Sequence, residues 1–228
     1  MASGDPIRLY FDFISPYAYL AWKGVHALAA EHGRSVEAVP ILFAALLDAH
    51  GTKGPAEVPA KREYVFKDAL RRATMAGLTL VPPPAHPFNP LLALRVASLD
   101  FDEPTRRSVI GALFDATWGD GPGVIDPAIV AEVLSRTGVD GEAAVREAGR
   151  DDVKARVRAR TEEAVARGVF GVPTLLVEGE LFWGYDAFPC AAMRLRGEDP
   201  VNEAVLARWR DLPAAARRPG ASTSPQGK

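Results

Sequence analysis

The chain has 228 residues, 48% hydrophobic and 25% charged, which is enough to bury one core or a core carrying an insertion. Its net charge of -2 makes no electrostatic case for nucleic acid or an anionic membrane, and no apolar run approaches the roughly 20 residues of a spanning helix. The one cysteine, Cys190, excludes an internal disulfide and a CxxC redox pair and weighs against a cysteine-based zinc site, so no metal is expected.

Met1 to Pro6 lacks a basic stretch followed by an apolar core, so no secretory signal is read and a cytoplasmic location is expected. Ile7 to Phe13 reads as a buried strand. From Pro16 to about His32, Tyr17, Leu20, Ala21, Gly24, Val25, Leu28 and Ala29 recur at helical spacing, and Gly33 ends the helix. Ser35 to Ile41 reads as a second strand with Pro40 near its end. Strand, helix and strand at this spacing make a βαβ unit, so the two strands are expected to be parallel with a right-handed crossover.

From Leu46 to about Gly168 no strand pattern stands out. Helices are predicted at roughly 59–76, 90–100, 104–118, 127–137, 141–149 and 151–167, with Pro and Gly clusters at 50–55, 81–87 and 119–123 between groups of them. Strands return after Gly168. Thr174 to Glu178 and Leu181 to Gly184, around a turn at 178–180, read as a hairpin. A helix is predicted after Asp186 and another over about Val201 to Trp209, and Pro213 to Lys228 is expected to be a disordered tail. The strand-bearing ends must share one sheet, because neither is a stable sheet alone. The prediction is one α/β core, residues 5–45 with 168–212, interrupted by a helical insertion at 46–167.

Two short stretches carry the chemistry. In Phe11-Asp12-Phe13-Ile14-Ser15-Pro16 a strand runs into a hydroxyl residue, then a proline suited to the first helical position, then a helix. Ser15 is therefore placed where free amides and the positive end of a helix dipole converge. It can serve as a plain cap, or as a donor to an anion such as a thiolate, whose pKa such a site lowers. The four histidines, His26, His32, His50 and His86, show no triad-like pattern with it, which argues against a Ser–His hydrolase. In Val172-Pro173-Thr174 a proline stands directly before an apolar strand. A trans bond makes it an ordinary strand start; a cis bond turns the Val172 backbone outward to pair with an extended peptide.

Together these stretches resemble a known family. FDFISPYAYLA at Phe11–Ala21, HPFNPLLALR at His86–Arg95 and GVFGVPTLLVEGELFWGYD at Gly168–Asp186 are similar to the 2-hydroxychromene-2-carboxylate isomerases. These group with the kappa-class glutathione transferases in the DsbA-type branch of thioredoxin-like proteins. The resemblance covers about residues 7–195. It implies a thioredoxin-like fold with a large helical insertion, bound glutathione and a homodimer. It also implies a role in breaking down aromatic compounds, with a small aromatic keto acid as substrate. The serine at the end of the first strand then stands where the redox enzymes keep cysteine.

The resemblance assigns residues as well. Ser15 would hold the glutathione thiolate, which adds reversibly to the substrate's conjugated side chain so that the double bond can rotate. Val172 and Pro173 match the position that pairs with the cysteinyl unit. Tyr185 and Asp186 match the segment after the hairpin, with Asp186 either on the γ-glutamyl ammonium or capping the next helix. Lys61 falls where the family has a lysine near a glutathione carboxylate. The Gly-Asn pair of many members is replaced here by His50-Gly-Thr-Lys53, so Thr52 or Lys53 would take that substrate contact. Asn89 either caps an inserted helix or lines the substrate cleft. Trp118 and Trp183 are expected in the core or cleft wall, and Cys190 is expected to be a small packed residue.

Overall fold

The computed structural model describes residues 4–213, so residues 214–228 of the expected tail lie outside the described residues. β1 (Ile7–Phe11) leads through a short turn into α1 (Pro16–Glu31), which returns to β2 (Val36–Pro40). β1 and β2 pair in parallel, from Ile7 opposite Val36 to Phe11 opposite Pro40. The apolar run of β1 is buried at four of five positions, as a strand covered on both faces requires. Pro40 sits at the end of an edge strand, where its missing N–H costs no ladder bond.

The next helix was not expected. α2 (Phe43–His50) buries only Leu46 and has no capping side chain at its start. Its cap is tertiary, because the Phe43 amide donates to Oδ2 of Asp12 at 2.9 Å. Sequence adjacency carries no start signal for such a helix. The six predicted helices follow as α3 (Pro59–Met75), α4 (Leu91–Val96), α5 (Glu103–Trp118), α6 (Pro127–Ser135), α7 (Gly141–Glu147) and α8 (Asp151–Ala166). α4 is shorter than predicted at both ends, starting after Pro90, and Ala97 at its C-cap leads into a turn held by Arg106. Among the described residues no strand interrupts this run, and no helix is long and apolar enough to cross a membrane.

β3 (Thr174–Val177) and β4 (Glu180–Trp183) form the expected hairpin, and α9 (Phe188–Leu195) and α10 (Glu203–Arg210) close the described chain. Glu178 and Gly179 turn it with φ of 50° and 83°, the left-handed pair that a two-residue hairpin favours. The sheet order is β2-β1-β3-β4, with β3 antiparallel to β1 and to β4. Both strand-bearing ends of the chain thus share one sheet. One face carries the large core, where Phe11, Phe13, Trp22 and Phe114 pack ring on ring with centroids 4.6–6.2 Å apart. The other face packs Tyr10, Val39 and Ile41 against Leu46 of α2 and Ala164 of α8. Cys190 departs from expectation: it lies exposed in α9, on the outer side of a helix whose one buried residue is Ala191.

Asp12 ties the end of β1 to α2. It is 1% exposed, and its Oδ1 also accepts from the Ile14 amide at 3.1 Å. Burial pushes its carboxyl up to about 7, against the pull of the two amide donors. A raised acid binds its proton more tightly when folded. Its stabilising contribution is therefore full below the ordinary carboxylate pKa, near 4, and is lost as pH rises through 7. Relative to Asp12→Asn, the wild type should lose stability between pH 4 and 7.5, by on the order of 4 kcal/mol at most. Urea unfolding of both proteins across that range reads the difference. A pH-independent difference would mean that the amides keep Asp12 ionised throughout.

Candidate functional site

Ser15 stands at the junction of β1 and α1 in extended conformation, with φ of -97° and ψ of 119°. Its Oγ accepts from the Ala18 amide at 3.2 Å, so the predicted cap is formed and Pro16 begins the helix. The same hydroxyl donates to the Val172 carbonyl at 3.4 Å. That bond is long for an O–H donor, so a stronger acceptor can displace it at small cost. Ser15 is 8% exposed, and among the described residues it bonds no histidine. No general base is therefore in place to make it a nucleophile.

The Val172–Pro173 bond is cis. Among the described residues the Val172 amide has no hydrogen-bond partner, nor does the Tyr17 amide in the first turn of α1. Two backbone donors and one hydroxyl thus gather at the positive end of a 16-residue helix. The loop that carries Ser15 is braced from behind. Trp118, buried at the end of α5, donates from Nε1 to the Phe13 carbonyl at 2.8 Å. His86 lies 3.0 Å from the Ile14 carbonyl through Nε2. A carbonyl only accepts, so that nitrogen carries the proton, and burial lowers the ring's pKa and keeps it neutral. The His86 ring also packs edge-on against Phe66 and at a tilt against Trp118.

α3 forms one wall beside the first turn of α1. Tyr17 donates to Oδ2 of Asp68 at 2.7 Å, and Arg72 holds the same oxygen at 2.6 Å. Burial and then Asp68 raise the Tyr17 phenol, so it stays protonated. Asp68 raises the Arg72 guanidinium, and the nearby Asp186 carboxylate adds to that. Lys61 is exposed on α3, seven residues before Asp68 and eleven before Arg72, which puts the three on one helix face.

The hairpin end supplies the facing wall. The Gly184 amide donates to the Pro173 carbonyl at 2.9 Å, which fixes the Tyr185–Asp186 turn beside the Val172–Pro173 bond. Tyr185 is half-buried with its ring on Phe188. Asp186 is exposed and does not cap α9, whose cap position is Ala187 with no side-chain bond. Trp183, expected in core or cleft wall, is 56% exposed and packs edge-on against Phe170.

The remaining predicted positions lie on loops. Thr52 and Lys53 are exposed after α2, whose last residue, His50, reaches the Val169 carbonyl at 3.0 Å. Asn89 is exposed, and its Oδ1 accepts from the Leu91 amide at 3.0 Å in a turn just before α4, whose cap position is Pro90 with no side-chain bond. Sequence reasoning missed the Tyr17–Asp68–Arg72 network and the braces from Asp12 and His86. Asp68 and Arg72 were visible as an i, i+4 pair of opposite charge. Nothing local marks the partners of Tyr17, Asp12 or His86.

The DSBA-like thioredoxin domain profile matches residues 6–196. A 2-hydroxychromene-2-carboxylate isomerase of Pseudomonas sp. (strain C18) is 30% identical over 184 residues, covering 79% of this chain and 85% of that protein. Glutathione S-transferase kappa 1 of Caenorhabditis elegans is 24% identical over 215 residues, covering 88% of this chain and 95% of that protein. The solved structure of a 2-hydroxychromene-2-carboxylate isomerase superposes with a TM-score of 0.77 at 26% identity, covering 90% of this chain and 97% of that one. With the β2-β1-β3-β4 sheet and the Ser15–Val172 junction, these matches make the chain a member of the DSBA-like thioredoxin domain family and, inside it, of the 2-hydroxychromene-2-carboxylate isomerases.

Proposed function

We propose that the chain is a glutathione-dependent isomerase that interconverts 2-hydroxychromene-2-carboxylate and trans-o-hydroxybenzylidenepyruvate, or a similar aromatic keto acid. In this reading it works as a cytoplasmic homodimer. The observation that carries the proposal is the Ser15 hydroxyl, at a helix N-terminus and 3.4 Å from the Val172 carbonyl, in a chain whose one cysteine lies elsewhere.

The residues present suit glutathione, an acidic tripeptide with one ammonium. The unpartnered Val172 amide and the carbonyl beside it offer strand-like pairing to its cysteinyl unit. Asp186, uncommitted to capping, is a counter-charge for the γ-glutamyl ammonium. Tyr185 and Pro173 shape the wall next to it, and Lys61 is a cation for a carboxylate. When bound, glutathione would supply the thiolate that adds to and leaves the substrate's conjugated double bond. Ser15 would donate to that sulfur and, with the amides of the first turn, hold it ionised. Thr52, Lys53 and Asn89 would meet the substrate carboxylate and ring from the loops above.

A second reading, kappa-type conjugation of electrophiles, is favoured by the kappa transferase relative, which aligns over 88% of this chain. A non-catalytic glutathione binder is favoured by the loop at 50–53, which lacks the family's Asn. The three readings share a site and differ in what becomes of the thiolate.

Two measurements separate them. Glutathione should raise the melting temperature with the logarithm of its concentration above Kd, adding about 2.7 kcal/mol of stability at a hundredfold excess, and Asp186→Asn should weaken that response. No shift at millimolar glutathione would remove the cofactor from the account. Ser15→Ala should keep glutathione binding but lose about 10²- to 10³-fold in turnover of the keto acid, as loss of a single donor to a developing anion does. Turnover of the wild type with glutathione conserved supports the isomerase, whereas one glutathione consumed per turnover supports the transferase. No turnover by the wild type leaves the binder.

A further inference from the structure

Away from Ser15 the fold encloses a second group of charges. A cleft of about 450 Å³ lies where the β2 edge meets the first turn of α5 and the later turns of α8. β1 borders it through Arg8 and Tyr10, whereas Ser15 stands past the C-terminal end of that strand.

Three arginines and three glutamates line this cleft, so its formal charge is zero, but the pairing among them is uneven. Arg8 takes Glu37 at 2.6 Å and Glu163 at 3.5 Å, and Glu163 also takes Arg167. Arg106 is directed at the carbonyls of Ala97 and Phe101, and Arg156 at Asp100 and the Ser98 carbonyl. Those two arginines hold the turn after α4. Arg160 is different. Its only partner among the described residues is the Ser98 hydroxyl, at 3.2 Å, and it joins no ion pair with any of them. A guanidinium has five N–H donors, so most of these lack a protein acceptor although the side chain is half-buried. Burial, and then the like charges of Arg106 and Arg156, lower its hold on its proton, with Glu37 and Asp100 acting in the other direction. An anion would offset the repulsion from the two arginines.

Tyr10 adds an independent sign. It is 1% exposed, and its hydroxyl has no hydrogen-bond partner among the described residues. A buried hydroxyl left unpaired opposes folding unless something satisfies it. Arg8 lies against it, but that guanidinium is taken by Glu37 and Glu163.

We propose that this cleft is a second ligand site, which takes a small oxyanion on the Arg160 guanidinium, with Arg106 alongside and the Tyr10 hydroxyl as a neutral donor. A carboxylate and a phosphate monoester share that chemistry, since a guanidinium fork receives either through two oxygens. Glu103 is the remaining acid in the cleft and is partly offset by Arg106 and Arg107. Its charge disfavours polyphosphates and leaves room for one small anion.

Calorimetric titration of the full chain with inorganic phosphate and, separately, with malonate tests this, at constant ionic strength set by sodium chloride. One saturable site per chain is expected for at least one probe, and the tighter probe assigns phosphate or carboxylate as the ligand type. Arg160→Gln should weaken binding at least tenfold. Tyr10→Phe should weaken it several-fold without lowering the melting temperature of the free protein, and it decides the matter if Arg160→Gln does not fold. Lys61→Ala, near Ser15, should leave the affinity unchanged. No saturable binding of either probe would overturn the proposal. So would equal affinity in Tyr10→Phe and Arg160→Gln, or loss of binding in Lys61→Ala, which would place the anion at Ser15.

Discussion

The antiparallel pairing of β3 on β1 is the constraint that builds the site, because it sets the Ser15 hydroxyl against the Val172 carbonyl. The two residues are 157 positions apart. They meet because β3 runs antiparallel to β1, so the start of one strand lies at the end of the other, with Tyr10 opposite Thr174. The βαβ unit then adds the start of α1 to the same point. Strand end, strand start and helix start coincide, and each brings backbone groups that its own element leaves unpaired. A thiolate-sized anion finds donors there without any side chain needing a charge.

Such a junction is useful only if it is held still. Asp12, Trp118 and His86 each bond a backbone group within two residues of Phe13 or Ile14, and each comes from a different part of the chain. The helices between β2 and β3 therefore brace the loop from behind as well as walling the site. The Tyr17–Asp68–Arg72 network does the same at the mouth and leaves a cation near Asp186. In the proposed reading, that pairing positions Asp186 for an ammonium while Arg72 stays committed to Asp68. The mixed charges at the mouth match a tripeptide carrying both signs better than a simple anion.

Much of this was legible in the amino acids. The Ser15-Pro16 start, the parallel pair, the six helices after α2 and the hairpin follow from local rules, because each depends on a few neighbours in sequence. α2 escaped because its cap is Asp12, thirty-one residues earlier. Cys190 was expected in the core on the general behaviour of free thiols, yet the helix carrying it buries only Ala191. Asp186 and Asn89 were each left with two roles. The structure gives the cap position to neither, because α9 starts behind Ala187 and α4 behind Pro90, and Asn89 instead closes a turn on the Leu91 amide. The Tyr10 hydroxyl and the free donors of Arg160 were invisible, since the absence of a partner is a property of the folded chain alone.

In the proposed reading, Ser15 and the amides around it stabilise a sulfur anion that the protein does not itself supply. The ionisation of the bound thiol reports on this directly, through thiolate absorbance near 240 nm as pH is varied with the protein in excess over glutathione. In the wild type the midpoint should lie at least one unit below the roughly 8.5 of a free thiol, moving back towards that value in Ser15→Ala. A bound thiol that ionises at its free value in the wild type would contradict it.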